Sequence, residues 1–319
     1  MALSSASTCA KLILLGEHAV VYGYPALAMP FSGLRLRAML EPSILGPSGL
    51  RVLAPDLKIN EPLPIEGMQE DHPIRVAVDL TLRALGLANY PSAMLRIQSE
   101  IPFYSGLGSS AALAIAIIRA VSAFLGANLS PQASNALAYE AEKVNHGSPS
   151  GIDNTVISYE APIYFVKGEA PEILSPGVRF TFLVADTGVA KSTAETVADL
   201  RRQYQADPQA IDRQFALIDH AVEAGKAALI KGDPASLGNA MQNNQEALSQ
   251  LGLSCPELDN LIQAAMKHGA LGAKLSGGGR GGHALVLIEE NQSTAIRSAL
   301  QAAGAKQVHS TCLEKPNAR

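Results

Sequence analysis

The 319-residue chain has no cluster of lysine and arginine, no cysteine pair at a metal or redox spacing, and no apolar run long enough to cross a membrane. The first absence weighs against a nucleic-acid partner, which is met by a basic patch or stripe. The 25 lysines and arginines are outnumbered by 29 aspartates and glutamates, a formal net charge of −4. An anionic ligand must then be held by local devices, backbone N–H groups and one or two cations. Cys9, Cys255 and Cys312 are scattered through the chain. That pattern argues against a disulfide framework and a structural zinc site, and for a reducing cytosol. The longest uninterrupted apolar run, 111–118, stops at Arg119, far short of the roughly 20 residues a membrane span needs. Residues 1–10 carry no basic stretch ahead of an apolar one, so no signal peptide is evident and a cytoplasmic protein is expected. Internal repeats, low-complexity segments, a dinucleotide fingerprint, a Walker A lysine and the protein-kinase catalytic triplet are also missing.

What is present is a rather apolar globular composition, 47% hydrophobic and 17% charged, with enough chain for one large or two ordinary domains. Residues 11–15 form a short apolar strand candidate running into Gly16, and 34–40 alternate Leu and Arg with the period of a half-buried strand. The Gly- and Pro-rich stretch 45–63 reads as an excursion or hairpin, 72–85 as an amphipathic helix and 93–99 as a strand. A tight loop at 106–110 leads into a helix over 111–125 that is apolar nearly all round and so should be buried. Ser130 and Pro131 open a second helix to about residue 145, by an N-cap followed by proline at the first helical position. A loop is expected at 146–154 and strand and turn at 155–166. Strands follow at 179–185, 283–288 and 306–310, with helices at 193–205, 208–231, 234–250, 256–268 and 293–303. The stretch 168–177, with Pro171 and Pro176, is the candidate boundary, dividing the chain into lobes 1–170 and 171–319. Strands and helices mix without strict alternation, which implies α+β with two lobes.

Three segments carry candidate chemistry. In Pro102-Phe-Tyr-Ser-Gly-Leu-Gly-Ser-Ser-Ala-Ala112 two glycines and two serines stand at the mouth of the buried helix. Gly106 and Gly108 let the backbone approach a ligand closely. The first helical turn leaves N–H donors unpaired at the positive end of the helix dipole, which suits an anion. The same pattern also fits an ordinary serine-capped helix after a glycine turn. In Glu142-Lys-Val-Asn-His-Gly-Ser-Pro-Ser-Gly-Ile-Asp-Asn154 one carboxylate ends a helix and a second follows a Gly/Pro/Ser turn. A plain solvent turn has this composition too. An apolar strand directly after Asp153 would set that carboxylate at the edge of the core, where it could accept a hydroxyl proton. Glu142 could complete a hard oxygen site for Mg²⁺, which takes one or two carboxylates plus phosphate oxygens. Lys11, at the start of a buried strand, is either a snorkelling strand-end lysine or a cation that keeps Asp153 ionised and stabilises charge on the attacking oxygen.

With those residues in view, Lys11-Leu-Ile-Leu-Leu-Gly-Glu-His-Ala-Val-Val-Tyr-Gly23 resembles the first signature of the GHMP kinases, most like the mevalonate kinase branch. Gly106-Leu-Gly-Ser-Ser-Ala-Ala112 resembles the second, the phosphate loop, and 146–154 the segment with the family's catalytic aspartate. Lys274-Leu-Ser-Gly-Gly-Gly-Arg-Gly-Gly282 resembles the third. The four occur in family order over nearly the whole chain. The resemblance implies an N-terminal lobe like ribosomal protein S5 domain 2 and a C-terminal ferredoxin-like lobe. It implies ATP and Mg²⁺, with Asp153 as catalytic base and Lys11 as its cationic partner. Pro102, Ser105, Gly106, Leu107, Gly108, Ser109, Ser110 and Ala111 would then surround the nucleotide phosphates. Ser110 and Glu142 would hold the metal, and Glu17, His18, Asp153 and Thr187 would face the substrate, mevalonate. A homodimer is common in the family and is an analogy only.

Two departures stand out. Tyr104 occupies a usual glycine position, and Arg280 interrupts the third glycine run, where its guanidinium either points to solvent or reaches a phosphate. A phosphomevalonate or sugar kinase is the nearest rival, and the related decarboxylase fits the 146–154 segment poorly. A catalytically silent binding protein would be expected to have lost one of Lys11, Glu142 and Asp153.

Overall fold

The computed structural model describes residues 2–43, 49–63, 71–102, 106–146, 149–189 and 193–315. Two compact units make it up, Met1–Ala10 with Leu34–Glu160 and Lys11–Gly33 with Ala161–Arg319. Strands β1 (Ser4–Leu15) and β2 (Ala26–Pro42) each contribute residues to both units. Both are longer than the strands expected at 11–15 and 34–40, because small polar residues at 4–9 and mixed residues at 26–33 carry little alternation of their own.

In the first unit β3 (Leu50–Ala54) and β4 (Ile59–Leu63) form the expected antiparallel hairpin. Across α1 (Pro73–Ala84) the chain returns as β5 (Ala93–Ser99), parallel to β3 and antiparallel to β2, with Leu36 opposite Ser99 and Pro42 opposite Ala93. The strand order is β4-β3-β5-β2. Helix α2 (Ser109–Phe124) is buried on almost every side, as its composition requires. Ser130 caps α3 (Pro131–His146), its hydroxyl accepting from the Ala133 N–H at 3.2 Å.

Residues 152–159 correct one expectation. They form helix α4 (Ile152–Tyr159), not the start of a strand. Asp153 therefore sits in a first helical turn rather than at a strand edge. Gly151 supplies the left-handed turn before it, at φ 90°. Asn154 donates to Asn135 Oδ1 at 2.6 Å, and Asn135 donates to Thr155 Oγ1 at 3.3 Å. These bonds fasten α4 to α3, and Ile152, Val156 and Ile157 pack at helical spacing on the buried side.

In the second unit β6 (Ile163–Phe165) pairs antiparallel with residues 26–28 of β2 and with β7 (Glu172–Ile173). A separate sheet begins with β8 (Phe180–Asp186). Four helices follow: α5 (Thr193–Ala206), α6 (Pro208–Lys231), α7 (Pro234–Gln250) and α8 (Pro256–Lys267). Then come β9 (Gly272–Ser276), β10 (His283–Ile288), α9 (Ser293–Ala302) and β11 (Gln307–Leu313). The antiparallel order β11-β8-β10-β9 places the fourth strand beside the first and the third beside the second. With helices between first and second strands and between third and fourth, this is the ferredoxin-like arrangement. The fold is α+β, as the mixed pattern of elements implies.

Candidate active site

The phosphate-loop residues lie in the first unit. Gly106 and Gly108 both take left-handed backbone, φ 75° and 77°, and Gly108 is the N-cap of α2. An added Cβ on Gly106 would meet nothing within 4 Å, so the turn faces open space. The Ala112 N–H donates to the Gly108 carbonyl at 2.9 Å and starts the helical ladder. The amides of Ser109, Ser110 and Ala111 precede it and have no intrahelical acceptor by helix geometry. Pro102 is exposed, whereas Leu107, Ser109 and Ala111 are buried. Ser105 and Tyr104 lie outside the described residues.

Ser110 and Glu142 are brought together: the Ser110 hydroxyl donates to Glu142 Oε1 at 2.5 Å. Glu142 is 6% exposed and projects from α3, two turns along from the Asn135 that fastens α4. One helix thus positions both carboxylate-bearing elements. Asp153 is partly buried, in the first turn of α4.

Lys11, Glu17, His18 and Thr187 lie in the second unit. Lys11 is buried in β1. The Thr187 hydroxyl donates to the Gly282 carbonyl at 2.8 Å and accepts from the Val189 N–H at 3.2 Å, tying the end of β8 to the glycine-rich turn after β9. Residues 190–192, just beyond, lie outside the described residues. Glu17 is 2% exposed, and its carboxylate is paired with Lys274, which is fully buried.

His18 combines three constraints. Its backbone is left-handed at φ 62°, a conformation that costs a non-glycine residue roughly 1–3 kcal/mol. Its Nε2 lies 3.1 Å from the Gly278 carbonyl. Burial lowers its pKa to about 4, with Arg280 and Lys274 adding to the effect against the Gly278 bond. A neutral ring facing a carbonyl must carry its proton on Nε2, which leaves Nδ1 as an acceptor. The linkage follows. The unfolded ring takes a proton near pH 6.5 that the folded ring refuses until about pH 4, so stability is present above 6.5 and is lost as pH falls through that window. Urea titrations from pH 7 to 4 should show His18→Gln with a shallower loss than the parent, by at most about 1.4 kcal/mol per pH unit. Equal slopes would reject a buried neutral His18.

The model for the GHMP kinases N-terminal domain matches residues 72–161, and that for the GHMP kinases C-terminal domain matches 226–306. The mevalonate kinase of Thermococcus onnurineus is 34% identical over 319 aligned residues, 94% of this chain and 93% of that protein. The chain belongs to the GHMP kinase family. Likeness to the Pyrococcus abyssi mevalonate kinase is 35% over 92% of both chains. The structure of L. major mevalonate kinase in complex with R-mevalonate superposes with a TM-score of 0.82 at 31% identity, covering 98% of this chain and 97% of that one.

As a GHMP kinase the chain is an ATP-dependent phosphotransferase with an alcohol acceptor, and its third glycine run shows how this sequence departs from the unbroken form. Arg280 adopts φ 56°. Its Nη1 donates to the Asp199 carboxylate and its Nε to the Gly252 carbonyl at 3.0 Å. The anion it meets is thus a side chain of α5, and the guanidinium braces the turn. Gly279 and Gly281 are needed beside it, because an added Cβ would come within 2.3 Å of Leu253 O and 2.4 Å of Val189 O, respectively.

In the sequence Lys274 opened the third motif but was given no role of its own, and Asn244 and Gln245 were not singled out. A lysine centred in the small apolar run of β9 was the available signal, since lysine is almost never fully buried unless paired. Asn244 and Gln245 sit in a polar-looking stretch of α7 and carried none.

Proposed function

We propose that this GHMP kinase transfers the γ-phosphoryl group of ATP to the primary hydroxyl of mevalonate, giving 5-phosphomevalonate. The observation that carries the acceptor is the full-length likeness to kinases named for mevalonate, one of them bound to it. In this reading Asp153 orients the hydroxyl and accepts its proton as the oxygen attacks phosphorus. Lys11 stabilises charge on that oxygen. The α2 amides with Gly106, Leu107 and Gly108 hold the β and γ phosphates. Pro102 and Ser105 flank that loop. Glu17, His18 and Thr187 belong to the acceptor side.

Ser110 and Glu142 suit Mg²⁺: a hydroxyl and a carboxylate already in contact are hard oxygen donors, and a single carboxylate leaves room for waters and phosphate oxygens. No group of three or more His, Cys, Asp or Glu that could hold a metal occurs among the described residues. When bound, the ion neutralises charge on the phosphates. Transfer then depends on positioning and electrostatics more than on covalent chemistry.

An ADP-release assay over mevalonate, phosphomevalonate and galactose tests the acceptor. Mevalonate should give the highest kcat/KM by at least about tenfold, the least discrimination expected where a site is built around one acceptor. A preference for phosphomevalonate or for the sugar would replace this reading with the corresponding kinase.

A further inference from the structure

We infer that Glu17 is a positioning residue: with Lys274 and Asn244 it forms a buried clamp that holds His18 against the glycine-rich turn, and it does not itself touch the acceptor. The inference rests on the proposed acceptor-side role of Glu17 and His18. Its first support is the carboxylate's occupancy. Glu17 Oε1 accepts from Lys274 Nζ, and Oε2 accepts from Asn244 Nδ2 at 3.4 Å. Lys274 also donates to the Leu275 carbonyl. Both members of the pair are nearly or wholly inaccessible, 2% and 0% exposed. Burial pushes the Glu17 carboxyl up and the Lys274 ammonium down, and each partner's charge opposes that shift. A buried charge left without its partner is strongly disfavoured, so these groups are committed to each other.

The second support is where the pair is attached. Asn244 Oδ1 accepts from the Gly16 N–H at 3.0 Å, so one α7 amide holds two successive residues of the first motif. Its neighbour Gln245 accepts from the Leu275 N–H at 2.8 Å, fixing the strand that carries Lys274. The Ser276 hydroxyl donates to the Ile13 carbonyl at 2.9 Å. Gly16 has φ 97°, and an added Cβ would fall 2.6 Å from Ala26 Cα. His18 is therefore bracketed: Gly16 and Glu17 are fixed on one side, and its ring meets Gly278 on the other. A left-handed histidine persists only where its surroundings over-determine it, and this network supplies the restraint.

The test uses the full-length protein and compares Glu17→Gln, Lys274→Met and the double variant. Readouts are kcat/KM for mevalonate, KM for ATP, thermal unfolding, and the imidazole ¹⁵N shifts of His18, assigned by their loss in His18→Gln. Each single variant should lose about a hundredfold in kcat/KM for mevalonate, the scale of a 1 Å misplacement, with KM for ATP little changed. Each should also broaden or shift the His18 Nε2–H signal. The double variant removes both charges and keeps a side-chain amide at position 17 within reach of Asn244, so it should regain at least about tenfold over either single variant and restore the His18 signal. If Glu17 touched the acceptor, the double variant would stay as impaired as Glu17→Gln. If the pair were only structural, the melting temperature would drop while kcat/KM of the folded enzyme and the His18 shifts stayed put. Either result overturns the inference. If the parent enzyme were inactive on mevalonate, the function would fail, and the His18 shifts alone would still decide the clamp.

Discussion

Replacing Asp153 with asparagine is expected to lower kcat by roughly 10²–10⁴-fold, the usual contribution of a positioned general base, while leaving KM for ATP near its parent value. The substitution is almost isosteric. The local frame should survive it, because the Asn154–Asn135 and Asn135–Thr155 bonds that fasten α4 to α3 do not involve residue 153. Asparagine also keeps an acceptor oxygen at the helix N-terminus, so unfolding should be little altered. What disappears is the capacity to take a proton and to carry negative charge beside the attacking oxygen. Single-turnover rates with saturating ATP separate this from product release. A rate within a few-fold of the parent would remove Asp153 from the role of base.

The chain's own signals were strongest where structure is decided locally. Helices α6 and α7 begin and end where residues 207–208, 232 and 233–234 say they should. Asp207 and Asp233 cap them, each followed by proline at the first helical position, and Gly232 closes α6 in left-handed backbone. Strand β5 falls at 93–99 as read from the sequence, and its residues 93–97 are buried and less buried in turn. Residues 152–159 carry no such signal. Ile152, Val156 and Ile157 are β-branched, and the segment is buried on most sides, so neither period dominates. The decision lies with Asn135 on another helix. The site divides the same way. The glycine turn that caps α2 was legible because glycines and serines before an apolar helix form a local device. The Glu17–Lys274 pair joins residues 257 positions apart, and nothing near either residue names the other. Only folding β9 beside the end of β1 brings a carboxylate that reads as a substrate contact onto a lysine that reads as the start of a glycine-rich motif.

Gly238→Ala is expected to destabilise the protein by about 3 kcal/mol or more, at the upper end of what overpacking costs, although helix propensity alone would favour alanine by about 1 kcal/mol. At this point α7 crosses β9 backbone to backbone. An added Cβ on Gly238 would lie 2.1 Å from the Leu271 carbonyl oxygen, and one on Gly272 would lie 2.6 Å from the Gly238 carbonyl oxygen. Neither obstacle can rotate away, so the helix and strand must separate. Gly225→Ala in α6 is the matched control. There an added Cβ would meet Leu15 Cδ1 at 2.2 Å, with its next contacts at 3.5 Å and 3.6 Å. A leucine methyl can change rotamer, so that substitution should be near neutral. The consequence reaches the chemistry, because α7 carries Asn244 and Gln245 and β9 carries Lys274. Separating the two elements should loosen the clamp on His18, so the folded fraction of Gly238→Ala should also lose kcat/KM for mevalonate. Urea unfolding of the two variants side by side distinguishes geometry from propensity: if both were stabilised alike, the close approach of α7 and β9 would have no energetic weight.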